Sequence, residues 1–149
     1  MATIEEHYQL ARTIDEKEVS LALFEFIRSI EKELVELNRI QLNEKSKDIY
    51  GEAIGFYSYA TEVITGGRKK RGEPFDAKDT GSFLNKLYAK VENNMVVFGS
   101  TDPKTDLILN SDNWLSTDLF GLTDQDLQNV IEKKLQPFII EHYKKQLGL

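Results

Sequence analysis

Phe83-Leu84-Asn85-Lys86-Leu87-Tyr88-Ala89-Lys90-Val91-Glu92-Asn93-Asn94-Met95-Val96-Val97-Phe98-Gly99-Ser100 is the stretch whose reading decides the fold. It is entered from a polar, glycine-bearing turn, Asp79-Thr80-Gly81-Ser82. An apolar run from Phe83 to Val91 stops at Glu92-Asn93-Asn94, and a second run from Met95 to Phe98 follows. Strand-favouring residues on either side of a short Asn-rich turn are the pattern of a β-hairpin. The pattern predicts strands at about 83–91 and 95–100. Nearly everything else reads as helix or loop, so the hairpin is expected at the centre of an α+β fold.

Upstream, the periodicity is helical. Thr3 followed three residues later by Glu6 fits a capping box, and Ile4, Tyr8 and Ala11 share a face, predicting a short helix over 3–12. Thr13 with Glu16, or Asp15 with Glu18, can cap a second helix. From there Val19, Leu23, Phe26, Ile27, Ile30, Leu34 and Leu37 recur at steps of three and four. That single apolar stripe predicts one long helix from about Glu16 to Asn43. Leu21, Phe24 and Val35 fall off the stripe and imply a second covered face, against the domain or another subunit.

Residues 46–82 carry weaker signals. Ile54, Phe56 and Tyr57 suggest one short strand and Glu62-Val63-Ile64-Thr65 another, punctuated by Gly51, Gly55, Gly66, Gly67 and Gly72. From Gly66 to Lys78 the chain reads as a long, flexible basic loop with four consecutive cations, Arg68 to Arg71, and Pro74. After the hairpin, Thr101-Asp102-Pro103 is a helix-start signal with Asp102 as cap, leading to a short helix through Leu107, Ile108 and Leu109. Asn110 to Asp118 is turn-like and holds Trp114. Thr123 caps a last helix whose stripe is Leu127, Val130, Ile131, Leu135, Phe138, Ile139 and Tyr143. Pro137 lies inside it and is expected to kink or break it near Gln136. The expected architecture is a single domain over 1–149, with the long N-terminal helix and the C-terminal helix packed on a small antiparallel sheet.

Composition bounds the function. At 149 residues the chain is long enough for a real core, and 40% hydrophobic with 30% charged residues argues for a globular protein. A net charge of −6 disfavours a dedicated nucleic-acid binder. There is no cysteine, which excludes disulfides, thiolate metal sites and cysteine nucleophiles. Glu5, Glu6 and His7 interrupt any N-terminal apolar segment, and no run approaches the roughly 18–20 apolar residues of a membrane span. A soluble chain, made and used on the cytoplasmic side, is therefore expected.

Chemistry-bearing patterns are sparse. His7 and His142 lie near opposite ends and lack partners at metal-ligand spacing. Ser58, Ser82, Ser100, Ser111 and Ser116 have neither a nucleophile-elbow context nor a visible base. Gly66-Gly67-Arg68-Lys69-Lys70-Arg71-Gly72 resembles a phosphate loop superficially, but lacks the Gly-Lys-Ser/Thr ending and a following helical pattern. No catalytic residue, metal or cofactor is expected. Two features have both a functional and a plain reading. Arg68, Lys69, Lys70 and Arg71 are candidates for contact with DNA or an acidic partner, or form a solvated loop tip. Trp114, Leu115, Leu119, Phe120 and Leu122 pack beneath the final helix or anchor a neighbouring subunit. Trp114, Leu119 and Phe120 are the anchor candidates.

Several stretches, in order, carry a resemblance: Leu37-Asn38-Arg39 with Gln41-Leu42; Tyr57-Ser58 with Ala60-Thr61-Glu62; Gly72-Glu73-Pro74-Phe75; Asp79-Thr80-Gly81 with Phe83; Ser100-Thr101-Asp102 with Lys104; and Leu119-Phe120-Gly121-Leu122-Thr123. Together, over about residues 17–147, they resemble small minor structural proteins of tailed bacteriophages and prophages, of the head–tail connector (neck) or tail-completion type. Asp79-Thr80-Gly81 also occurs in aspartic proteases, but the apolar, glycine-containing companion segment of those enzymes is missing. The resemblance implies a non-enzymatic virion subunit, made in the host cytoplasm, that pairs a long helix with a small sheet. It implies homo-oligomeric rings on assembly from subunits that can be monomeric in isolation, contacts with other neck or tail subunits, and a possible contact with packaged DNA. Independently of it, the exposed edge of a small sheet is a ready pairing site that a ring would close by symmetry.

Overall fold

The computed structural model describes residues 3–74, 76, 81–103, 105 and 117–149. The fold is α+β, built from helices and one two-stranded antiparallel sheet. The chain packs as two compact units, Glu31–Asp126 and Met1–Ile30 with Leu127–Leu149.

In the Glu31–Asp126 unit, β1 (Leu87–Glu92) pairs with β2 (Met95–Ser100) in the register Leu87↔Ser100 through Glu92↔Met95. Asn93 and Asn94, with φ of 49° and 61°, form the two-residue turn, and both sit in the left-handed region that a twist-matched hairpin turn requires. The first strand is shorter than its apolar run suggests. Phe83 opens a one-turn helix, Ser82–Asn85, and β1 starts only at Leu87. Gly81, at φ 87°, turns the chain into that helix, and Ser82 and Phe83 carbonyls accept the Lys86 N–H. A continuous apolar run cannot by itself separate a buried helical turn from a strand.

Leu87, Ala89 and Val91 share one face of β1, and the helix Glu31–Asn43 packs against that strand. Glu31 Oε1 accepts the Val91 N–H at 3.3 Å, capping an outward-pointing donor on the sheet edge. No third strand joins β2 among the described residues. The core of this unit is Leu42, Ile54, Phe83, Leu84, Leu87 and Leu119, with Val35 and Phe120 packed against it. On the other face, the Tyr88 ring lies over its cross-strand partner Gly99; a Cβ there would stand 2.5 Å from Tyr88 Oη.

The single long helix predicted over Glu16–Asn43 is two. One helix, α2, spans Glu16–Ser29 and the next, α3, spans Glu31–Asn43, with Ile30 at φ −109° and ψ 12° between them. Neither Pro nor Gly marks the break. The Ser29 hydroxyl turns back to the Phe26 carbonyl and the Ile30 N–H bonds to Ile27 and Arg28 carbonyls, tightening the last turn. Glu31 and Glu33 then suit the positive start of a new helix. The apolar stripe runs through the break in phase, so periodicity alone reads it as continuous.

The other unit is all helical. The capping box at Thr3 and Glu6 forms as the sequence predicts, opening α1 (Ile4–Arg12). Asp15 caps α2 by accepting the Lys17 N–H. The C-terminal helix comprises Asp124–Val130, a π-turn over Ile131–Leu135, and Gln136–Gln146. The Gln136 N–H reaches the Ile131 carbonyl, one residue further than an α-helical bond. That extra residue lets the helix pass Pro137, which has no N–H to give and whose ring would crowd a regular preceding turn. Phe138 stacks on Phe26 of α2, with ring centroids 4.5 Å apart and planes 6° apart. Only Ile27 and Ile30 are buried among the described apolar residues of this unit.

Candidate functional site

Three arrangements inside the Glu31–Asp126 unit hold side chains of functional interest. The basic segment, expected as a flexible loop, is organised by hydrogen bonds. Glu62 to Thr65, expected as a strand, belong instead to a short helix, α4 (Tyr59–Ile64), and its cap; Ser58 caps its start by accepting the Thr61 N–H at 3.2 Å. A serine at this position competes for helix ends rather than extended backbone, which is why the β-branched Val63-Ile64 pair does not make a strand. Gly66 and Gly67, at φ of 63° and 83°, end the helix, and the Gly67 N–H reaches the Glu62 carbonyl at 2.9 Å. Beyond the turn, Gly72 N–H bonds to the Tyr57 carbonyl and Tyr57 N–H to the Glu73 carbonyl, beside a bridge between Phe56 and Pro74. The chain thus doubles back on itself.

This geometry separates the four cations. Lys69 turns inward: its Nζ lies 2.8 and 2.9 Å from the two Asp76 carboxylate oxygens and 5.1 Å from the centre of the Tyr57 ring. Tyr57 donates its hydroxyl proton to the same carboxylate. Burial opposes the charge on Lys69, but the bonds to Asp76 and Tyr57 outweigh it and hold the ammonium above the usual lysine range. Burial, reinforced by the neighbouring Asp76, raises Tyr57 likewise. Arg71 lies over the Tyr59 ring at 5.3 Å, while its backbone N–H bonds to Glu62 Oε2 at 2.7 Å. Arg68 and Lys70 are exposed. Arg68, Lys70 and Arg71 therefore form the outward basic surface, beside exposed Tyr59, Val63 and Ile64, whereas Lys69 belongs to the local structure.

The second arrangement concerns the predicted anchors. Leu119 is a core residue and Phe120 packs against that core, its ring 6.0 Å from Phe83. These two side chains fill the interior instead of forming an exposed patch, because the segment 117–123 is pulled onto α3. Asn38 Nδ2 donates to the Leu119 carbonyl at 2.9 Å, and Gln41 Oε1 accepts the Thr123 N–H at 3.2 Å. Both amides are fully buried. Trp114 and the helix predicted at Leu107, Ile108 and Leu109 lie outside the described residues. Asn38 and Gln41 had a visible signal: with Leu34 and Leu42 they occupy the covered face of one helix, where a polar side chain must find a partner.

The third arrangement is the buried carboxylate of Asp102. It accepts the Ser82 hydroxyl, and Lys86 Nζ stands 4.0 Å away. Its own N–H bonds to Ser100 Oγ, whose hydroxyl donates to the Phe83 carbonyl. Asp102 thus ties the end of β2 to the short helix before β1; the helix it is expected to cap lies largely outside the described residues. Ser82 and Ser100 have structural partners here, and Ser58 is a helix cap.

Elsewhere, His142 stacks on Phe138 at 6.0 Å. Among the described residues, no three His, Cys, Asp or Glu side chains are placed to hold a metal ion, and no helix is long and apolar enough to cross a membrane. The all-helical unit exposes Ile4, Tyr8 and Leu21 from its first two helices, and Leu127, Ile131 and Ile140 from the last. No described residue of the C-terminal helix is buried, from Asp124 to Gln146. No known protein family, curated protein or solved structure matches the chain.

Proposed function

We propose that this chain is a non-enzymatic assembly subunit acting through protein–protein contacts, at the head–tail junction of a tailed phage or prophage particle. The observation that carries the reading is the C-terminal helix. Its sequence has a full apolar stripe, Leu127, Val130, Ile131, Leu135, Phe138, Ile139 and Tyr143, yet Leu127 and Ile131 are exposed and the other five are only half-buried. An apolar stripe left only partly covered on a helix suits a surface covered by another subunit. The ordered resemblance to neck and tail-completion proteins supplies the kind of assembly. The partners are then further copies of the chain and adjoining neck or tail subunits, in the virion and, during assembly, in the host cytoplasm.

The test is deletion of the gene from the phage or prophage genome that carries it, followed by electron microscopy of the lysate. The expected result is DNA-filled heads and separate tails, restored to joined particles by the wild-type chain supplied in trans. Joined, infectious particles at normal titre would overturn the reading.

A second reading rests on one observation, Arg71 lying on Tyr59 beside exposed Arg68 and Lys70. Outward cations with one exposed aromatic ring suit a nucleic-acid backbone and an unstacked base. Sequestration of Lys69 by Asp76 removes one of the four charges from that role. A steep fall of oligonucleotide affinity with salt would favour this reading.

A further inference from the structure

Two exposed faces of the chain complement each other in charge and in apolar character. The first is a knob in the Glu31–Asp126 unit. Tyr59 and Val63 lie four residues apart on one side of the short helix, Ile64 is 83% exposed at its end, and Arg71 lies on the Tyr59 ring. With Lys69 paired to Asp76, the outward charges of residues 59–74 are three cations, Arg68, Lys70 and Arg71, against two carboxylates, Glu62 and Glu73. The knob is held by the hydrogen bonds of Gly67, Arg71 and Gly72, so little ordering is left to lose on docking.

The second face lies in the helical unit. On α2, Leu21 is 66% exposed and stands between Glu18 and Glu25, at spacings of three and four that put all three on one side. Neither glutamate has an ion-pair partner among the described residues. On α1, Ile4 is 89% exposed with Tyr8 four residues on. Residues 3–29 hold six carboxylates, Glu5, Glu6, Asp15, Glu16, Glu18 and Glu25, against three cations, Arg12, Lys17 and Arg28.

We propose that the basic knob of one copy docks on the acidic α2 face of a second copy, Tyr59, Val63 and Ile64 covering Leu21 while Lys70 and Arg71 meet Glu18 and Glu25. The occupant is a second copy because both faces expose apolar side chains and the charges flanking them differ in sign, Arg68, Lys70 and Arg71 on one and Glu18 and Glu25 on the other. The two faces are different surfaces, so the contact is head-to-tail. Such contacts repeat from copy to copy, closing into a ring or extending as a filament according to the rotation between neighbours. This inference rests on the assembly reading and specifies its self-contact.

The experiment is a charge swap followed by sedimentation velocity over a wide concentration range. One variant carries Lys70→Glu and Arg71→Glu, the other Glu18→Lys and Glu25→Lys. Wild-type mass is expected to grow with concentration and to fall between about 50 mM and about 500 mM salt. Each variant alone should associate at least about tenfold more weakly, since a 1.4 kcal/mol loss is tenfold. An equimolar mixture should recover association, because each variant then meets the opposite sign. Circular dichroism establishes that both are folded; if either is not, the Gln counterparts at the same positions replace it, with weaker association and no recovery expected on mixing. Variants that associate like wild type would overturn this contact while leaving the deletion test, and with it the assembly reading, untouched. A strictly monomeric wild type, or a knob that binds single-stranded oligonucleotide in place of a second copy, would equally overturn it.

Discussion

The two units use similar apolar residues to different ends. The Glu31–Asp126 unit closes a core on itself: Leu42, Ile54, Phe83, Leu84, Leu87 and Leu119 are all buried, and its buried polar groups Asn38, Gln41 and Asp102 tie loops to that core. The helical unit has equally regular stripes but buries only Ile27 and Ile30 among its described apolar residues. A sheet face backed by a helix and by returning loops is covered from several directions. Helices of nine to fourteen residues, held in part by the stack of Phe26 on Phe138, leave their outer faces open. An amphipathic stripe therefore says that a face is suited to cover, without saying which molecule covers it.

The comparison is most sharply tested in the core. Leu42→Ala removes a fully buried side chain and should destabilise the protein by about 3 kcal/mol, with urea or guanidinium unfolding as the measure. A loss below about 1 kcal/mol would mean that the core is much looser than its burial suggests.

Next in size is the Lys69–Asp76–Tyr57 cluster. Lys69→Met should cost about 1–2 kcal/mol, because it leaves a half-buried carboxylate with one partner fewer. The same cluster predicts an alkaline weakness. Lys69 and Tyr57 both titrate above their ordinary values, so their contribution is complete below the unfolded tyrosine and lysine range, near pH 10, and is lost as pH rises through the folded values. Hydrogen exchange of the Arg71 and Gly72 amides should accelerate there beyond the intrinsic base-catalysed rise, and Lys69→Met should abolish that excess.

A smaller effect is expected in the hairpin. Gly99→Ala places a Cβ in the space of the Tyr88 ring, which must swing away, at a cost of about 1 kcal/mol. In a Tyr88→Ala background the same change should be close to neutral, and thermal melts of the four proteins in the cycle measure the coupling.

The smallest change in stability belongs to the open face. Leu127→Ser with Ile131→Ser should move monomer stability by no more than about 0.5 kcal/mol, as exposed positions do. It should nonetheless reduce the solution mass measured by light scattering. A loss of several kcal/mol would instead place these side chains in a core and erase the contrast between the units.

Much of the local structure was legible. Thr3 with Glu6, Asp15, Asn93-Asn94 and Thr123 are short-range signals: each acts on backbone groups within a few residues, and each appears where its spacing puts it. The α+β class follows from the same local patterns. The misread places are those where two local readings were nearly equal. Val63-Ile64 favours a strand by side-chain shape, but Ser58 and the Gly66-Gly67 turn favour a helix, and the helix wins. Phe83-Leu84 continues an apolar run that a one-turn helix interrupts. The split at Ile30 leaves the stripe in phase and so leaves no trace in periodicity.

For the candidate surface, the sequence alone determined that four cations lie together between glycines and that no cysteine chemistry is present. Tertiary structure decided which cations face outward. Asp76, Tyr57 and Tyr59 are distant enough along the chain that their pairing with Lys69 and Arg71 depends on how the segment doubles back. It also decided that Leu119 and Phe120 are interior, through Asn38 and Gln41, some eighty residues earlier. The physical reason is common to both. Helix caps and tight turns satisfy backbone groups locally, so their cause is written nearby. Burial and ion pairing depend on which distant surfaces meet, and that is set only when the chain has closed.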